Sequence, residues 1–230
     1  MAGVTARHAD LTGIKLQKAE LSRANLVNTS LIGSNLSGAN LKEAKLNAAK
    51  LRKANLEEAD LRHANLTQAK LESANLTHAK LSFAIFNDAD LIDANLSHAN
   101  LTDAHLKNTD LRNANLCCIN LNHTRLMKAN LSRTNLRKAK LISTIFKEAN
   151  LWKSNLSHAS LQKADFTLAN LSLANLEGAD FKHANLNNAD LSHANLRNAI
   201  NLTVEQVKAA NNWDKAYYNP EFKRELGLDS

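Results

Sequence analysis

The chain has 230 residues, almost half of them Leu (39), Ala (36) or Asn (31), and 29 Lys and Arg against 22 Asp and Glu give a formal charge of +7. With one Pro, six Gly and only ten aromatic residues, it has neither a linker-like stretch nor the large side chains of an ordinary globular core. No apolar run approaches the roughly 20 residues of a membrane-spanning helix, so the composition points to a soluble, mildly basic repeat array with no membrane span.

Residues 1–8 read as a lead-in. They carry no basic segment followed by an apolar one, which predicts a cytoplasmic protein without a secretory signal, unless a targeting segment was removed. They also supply no cover for the first repeats, which makes that end the expected place for an end-to-end homodimer.

From Leu11 to Leu196 every fifth residue is Leu or Phe, giving 38 consecutive units with Phe at 86, 146, 166 and 181. Two places before this centre stands Ala in 29 units, and one place before it Asn in 18 and Asp in seven. A helix turns about 500° in five residues and would smear the Leu around its surface. A straight strand would throw successive Leu onto opposite faces. The chain must therefore bend once per unit. Four bends near a right angle close a square coil of four units, with Leu and Ala inside and three polar places outside. The exceptions agree: Phe86, Phe146 and Phe166 share one register modulo 20, as do Ile14, Ser34, Thr134 and Ser154. Gly13, Gly33, Gly38 and Gly178 fall on the second place after a centre, where the corner turns.

Units such as Ala59-Asp60-Leu61, Ala94-Asn95-Leu96 and Ala184-Asn185-Leu186, each followed by two variable residues, resemble the A(D/N)LXX signature of the pentapeptide-repeat family across residues 9–198. The tail from Asn201 to Leu228 is similar to the ends of bacterial, especially cyanobacterial, members. The resemblance implies an all-β solenoid, a right-handed quadrilateral β-helix. The unit count makes it about nine and a half coils, about 45 Å long at about 4.8 Å per coil.

Function must be written on the outward places. Residues 81–110 hold five Asp against one Lys, whereas residues 111–147 hold Arg112, Arg125, Lys128, Arg133, Arg137, Lys138, Lys140 and Lys147 without an acid. This basic belt is a candidate anion-binding surface for nucleic acid or another polyanion, although the aromatic residues that stack exposed bases are lacking. A repeat of period 60 places Ile85 with Ile145 and Ile92 with Trp152. Together with Phe83 and Ile142 these form apolar spots, candidate contacts for a protein partner. Cys117 and Cys118 are neighbours and cannot staple distant segments.

Catalytic and metal signals are weak. Seven of the nine His sit at the second place after a centre, outside the shaft, with His78 and His98 stacked on adjacent coils but short of a four-ligand zinc site. No phosphate-binding Gly loop, HExxH or GxSxG motif occurs, and the paired Glu57 and Glu58 lie on convex surface. No cofactor, metal or catalytic residue is expected.

Residues 199–230 read as a helical cap. Thr203-Val204-Glu205-Gln206 forms a capping box opening a helix through about Asn211, and Asn219-Pro220-Glu221 opens a second that stops at Gly227. Trp213, Tyr217, Tyr218 and Phe222 are expected to plug the last coil. The functional expectation is a rigid, non-enzymatic scaffold for a protein partner, with polyanion binding as the alternative. The resemblance also implies a third reading, since quinolone-resistance members look like B-form DNA and bind DNA gyrase in its place. That mimicry requires an acidic surface, and this chain is basic.

Overall fold

The computed structural model describes residues 3–228. Single-residue parallel bridges join positions 20 apart without a break from Thr5↔Asn25 to Asp180↔Ile200. Four five-residue units thus make one coil of a quadrilateral β-helix. From Leu21 to Leu196 every centre side chain is buried, and the Ala places from Ala24 to Ala194 lie in the same continuous core. The ladder begins before the Leu pattern does. Val4-Thr5-Ala6 occupy the Ala-Asx-Leu places of a degenerate unit inside the expected lead-in, with Val4 and Ala6 packed against the core.

Backbone bonding explains why the period is five. In the unit Ala94–His98, the Ala94 amide closes the corner onto the Leu91 carbonyl (3.0 Å), the Asn95 amide bonds down to Ala74 (2.9 Å), and the Leu96 and His98 amides bond up to Asn115 (2.8 Å) and Cys117 (3.0 Å). Only the amide just after the centre lacks a backbone acceptor, and a buried or half-buried donor needs one. The Asn or Asp before the centre provides it: Ser97 N donates to Asn95 Oδ1 at 3.1 Å. Each Asn and Asp at this place, eighteen and seven respectively, accepts that bond at 3.0–3.4 Å. The amides of Lys107 and Ile142 follow His105 and Lys140, which cannot serve them. An Asn one coil below does so instead, Asn87 at 3.0 Å and Asn122 at 2.8 Å.

Every residue two places after a centre, from His8 to Asn198, has positive φ, and outside the four Gly these angles lie between 52° and 61°. With the preceding residue at negative φ, each corner has the pattern of a type II turn. None of these places holds Val, Ile, Thr or Pro, because β-branching and a fixed negative φ are incompatible with the left-handed region. The place just before them holds Ile and Thr freely.

Departures from Ala inside the shaft are hydroxyls and Ile. Thr109, Thr124 and Thr144 donate to the centre carbonyl of the coil below at 2.7–2.8 Å. Thr134 (2.7 Å) and Ser154 (2.6 Å) donate within their own corner. Ser34 Oγ is buried without a partner. Phe146 and Phe166 stack with centroids 4.9 Å apart, while Phe86 stands three coils away in the same register.

The tail continues the ladder while covering it. Helix α1 (Val204–Lys208) carries the capping box between Thr203 and Gln206. The Gln206 amide also donates to the carbonyls of Phe181 (2.9 Å) and Ala184 (2.8 Å); the Phe181 oxygen already accepts from Ala184 N, whereas the Ala184 oxygen receives no backbone amide. The helix stops short of Asn211 because Asn211 is drawn into a bridge with Asp190. A 3-10 turn follows at Trp213–Lys215, then α2 (Pro220–Leu226), which ends on Gly227 at φ 77°. Ala216-Tyr217-Tyr218 imitates an Ala-Asn-Leu unit: Tyr217 N donates to Ala194 O and Leu196 N to Tyr217 O, both at 2.8 Å. Tyr218 is consequently buried and Tyr217 faces solvent, contrary to the expectation that both plug the shaft; Val207 and Leu226 complete the plug.

Candidate functional site: a lateral groove and a dispersed basic belt

Ile92, Arg112, Ser132 and Trp152 occupy the same corner place on four successive coils. Their amides are held by Asp90, Asp110, Asn130 and Asn150 at 3.1–3.2 Å. Because Ser132 is small and nearly buried, the column dips between Arg112 and Trp152. The dip is an open groove of about 300 Å³, flanked by Asn113 and Arg133. Arg133 Cζ lies 5.0 Å and Lys153 Nζ 4.4 Å from the Trp152 ring centroid. These cation–π contacts favour cations over the ring faces.

The structure brings Ile92 and Trp152 into one groove but scatters the other apolar candidates. Phe83, 51% exposed, stacks on His63 at 4.9 Å on another corner. Ile142 lies three coils further along, in the column beside that of Phe83. Ile85 and Ile145 stand in one column of bridges, separated by His105 and Arg125.

The basic belt is likewise divided, since Arg125 and Lys140 lie in the bridge columns and its other members at corners, all around the shaft. Two of them have acids just outside the linear window: Arg112 pairs with Asp110 at 2.7 Å and Lys128 with Glu148 at 3.4 Å. Arg125 borders a small depression with His105 and Lys107. Arg137 and Lys138 stand one coil above Cys117 and Cys118. Arg133, Lys140 and Lys147 make no ion pair among the described residues.

Sequence reasoning missed a cavity of about 530 Å³ beside the cap, where Arg197, Lys223 and Arg224 meet Tyr217 and Leu228. Its residues come from separate elements, so no spacing announces it. It also missed Leu168 and Leu173, which are 53% and 44% exposed; their corner place in the repeat was the available signal. Among the described residues no group of three His, Cys, Asp or Glu is arranged for a metal ion. No described helix is long and apolar enough to cross a membrane.

Family models for pentapeptide repeats match residues 7–42, 39–77 and 69–108, and a model of a pentapeptide repeat region matches residues 120–196. The chain belongs to the pentapeptide repeat family. Among solved structures, this pentapeptide repeat protein is similar to HetL, involved in heterocyst differentiation regulation in the cyanobacterium Nostoc sp. strain PCC 7120. The two share 33% identity over 94% of this chain and 87% of HetL, with a TM-score of 0.43. A pentapeptide repeat protein of the Arabidopsis thaliana thylakoid lumen is 27% identical over 44% of this chain and 74% of its own, with a TM-score of 0.33. The full-length plasmid-mediated fluoroquinolone resistance protein QnrB1 is 16% identical over 97% of each chain, with a TM-score of 0.41. A search of curated protein sequences finds no match.

Proposed function

We propose that this pentapeptide repeat protein is a rigid, non-enzymatic scaffold that engages a protein partner through the groove over Ser132. The observation that carries this is the meeting of Ile92 and Trp152, three coils apart along the chain, with Arg112, Arg133 and Asn113 around one depression. An apolar wall beside a cationic aromatic one suits a partner segment with a large apolar side chain next to a carboxylate. Fixed Asx bonds behind the column keep the ordering cost of docking low. Convex walls without an enclosed, water-excluding site favour binding over catalysis.

The alternative, binding of nucleic acid or another polyanion, is supported by Arg125, Arg137, Lys138, Lys140 and Lys147. Their encirclement of the shaft favours weak, salt-sensitive contact over a single docking face. The net charge of +7 speaks against DNA mimicry. The same reading places the protein in the cytoplasm, where adjacent thiols stay reduced. It also includes end-to-end homodimerisation, which a monomeric mass by light scattering would remove.

Affinity capture from native cell extract tests the reading with three proteins of confirmed fold: wild type, Ile92→Asn/Trp152→Asn, and Arg137→Gln/Lys138→Gln/Lys140→Gln. A protein retained by wild type and lost from the groove variant supports the scaffold. Nucleic acid lost only from the belt variant supports the alternative. Equal retention of all bound proteins by wild type and the groove variant refutes the groove as the contact.

A further inference from the structure

Cys117 and Cys118, the only cysteines of the chain, occupy the two outer places of one corner. Both are reduced and half-buried, with their Sγ atoms 3.4 Å apart. The corner that carries them is held on every side. Cys117 N donates to Asn115 Oδ1 (3.3 Å), while Cys118 N donates to Arg137 O and Cys117 O accepts from His98 N, both at 3.0 Å. Cys118 has φ 59°, the left-handed setting that all corners share. The two thiols are thus fixed side by side on a rigid turn.

That arrangement selects among the chemistries open to a dithiol. A disulfide would have to draw the sulfurs to about 2.0 Å within a ring that includes the Cys117–Cys118 peptide, disturbing the three bonds that hold the corner. Zinc bound tetrahedrally through sulfur at about 2.3 Å needs sulfurs roughly 3.8 Å apart and about four ligands, and no such group exists among the described residues. A two-coordinate linear ion needs its sulfurs on opposite sides. A pyramidal trivalent centre with bonds of about 2.3 Å, as in zinc thiolates, meeting near a right angle, needs sulfurs roughly 3.3 Å apart, which the corner already provides.

We propose that the Cys117–Cys118 corner is a preformed bidentate site for a trivalent arsenical. With a monosubstituted oxide, R–As=O, two As–S bonds form and the arsenic–oxygen bonds break. Both thiol protons leave with that oxygen as one water, and arsenic remains trivalent, so no oxidant or reductant is required. Burial and the Cys118 hydrogen bond push the Cys117 thiol up, with Arg137 and Lys138 opposing.

The probe is phenylarsine oxide added to the full-length protein, read by intact-mass spectrometry under native conditions. One adduct per chain is expected, resistant to excess glutathione and removed by 2,3-dimercaptopropanol. Cys117→Ser and Cys118→Ser should each bind at least about 100-fold more weakly, because the second bond is lost as an intramolecular event. Their thermal melts establish folding. The urea-unfolded wild type should bind more weakly than the folded chain. Equal affinity of either folded single variant, or equal affinity of folded and unfolded wild type, would overturn the proposal; the second comparison stands even if a variant fails to fold.

Discussion

Asn115 tests whether side-chain amides sustain the shaft. Its Oδ1 accepts from Cys117 N at 3.3 Å and from Asn135 Nδ2 at 3.2 Å, and its own Nδ2 donates to Asn95 Oδ1 at 3.1 Å. Asn155 stands two coils along the same column and makes one such bond, accepting from Ser157 N at 3.0 Å. A net hydrogen bond is worth about 1 kcal/mol. Half-exposed Asn95 and Asn135 can turn to water, whereas the Cys117 amide loses its only acceptor. Asn115→Ala should therefore cost about 2 kcal/mol and Asn155→Ala about 1 kcal/mol. For a chain of this size the corresponding losses in melting temperature are about 4–8 °C and 2–4 °C. Urea unfolding followed by circular dichroism measures both, and an unchanged slope shows that the array still unfolds as one unit. An Asn155→Ala cost equal to or above that of Asn115→Ala would refute the claim that the ladder bonds add to the corner bond.

Three further outcomes are expected. Ser34→Ala should stabilise the protein by about 1 kcal/mol by removing a buried hydroxyl without a partner, while Ser154→Ala should destabilise it by a similar amount because its 2.6 Å bond is lost; chemical denaturation of the pair tests the contrast. Gly178→Ala should cost more than Gly33→Ala. Both place a Cβ at positive φ, but at residue 178 it meets the His158 ring at 2.6 Å, whereas at residue 33 nothing lies within 4 Å; melting of the two variants measures the difference. The hydrogen bonds from Arg62 hold the Asp60 carboxyl below its ordinary value of 3.8. A depressed carboxyl contributes stability above that range and loses it as pH falls through the folded value. Arg62→Gln should move the NMR titration of Asp60 up towards 3.8 and shift acid unfolding to higher pH; an unmoved titration refutes the pairing.

Much of the architecture was legible because each unit carries its own instructions. Leu at the centre and Ala two places earlier declare an inside, and a period of five is compatible with neither a straight helix nor a straight strand. Thr203 and Gln206 declared the cap helix through a local exchange of side-chain and backbone bonds. Two signals were present but unread. The Asn and Asp preference marks the one amide that the ladder leaves unpaired, and the absence of Val, Ile, Thr and Pro from the corner place marks its positive φ.

The candidate site was less legible, because its neighbours are a full coil away in sequence and belong to different units. Residues 111–147 hold no acid, yet coiling sets Glu148 against Lys128, and within one corner Arg112 folds back onto Asp110. Coiling likewise lifted Arg133 over Trp152 and separated Phe83 from Ile142. The sequence by itself determined the coil and its inside, since burial of Leu and Ala and the turn at each corner are repeated local demands. Only the tertiary structure decided which outward side chains meet, since the groove over Ser132 and the company of Cys117 and Cys118 depend on stacking one coil upon the next.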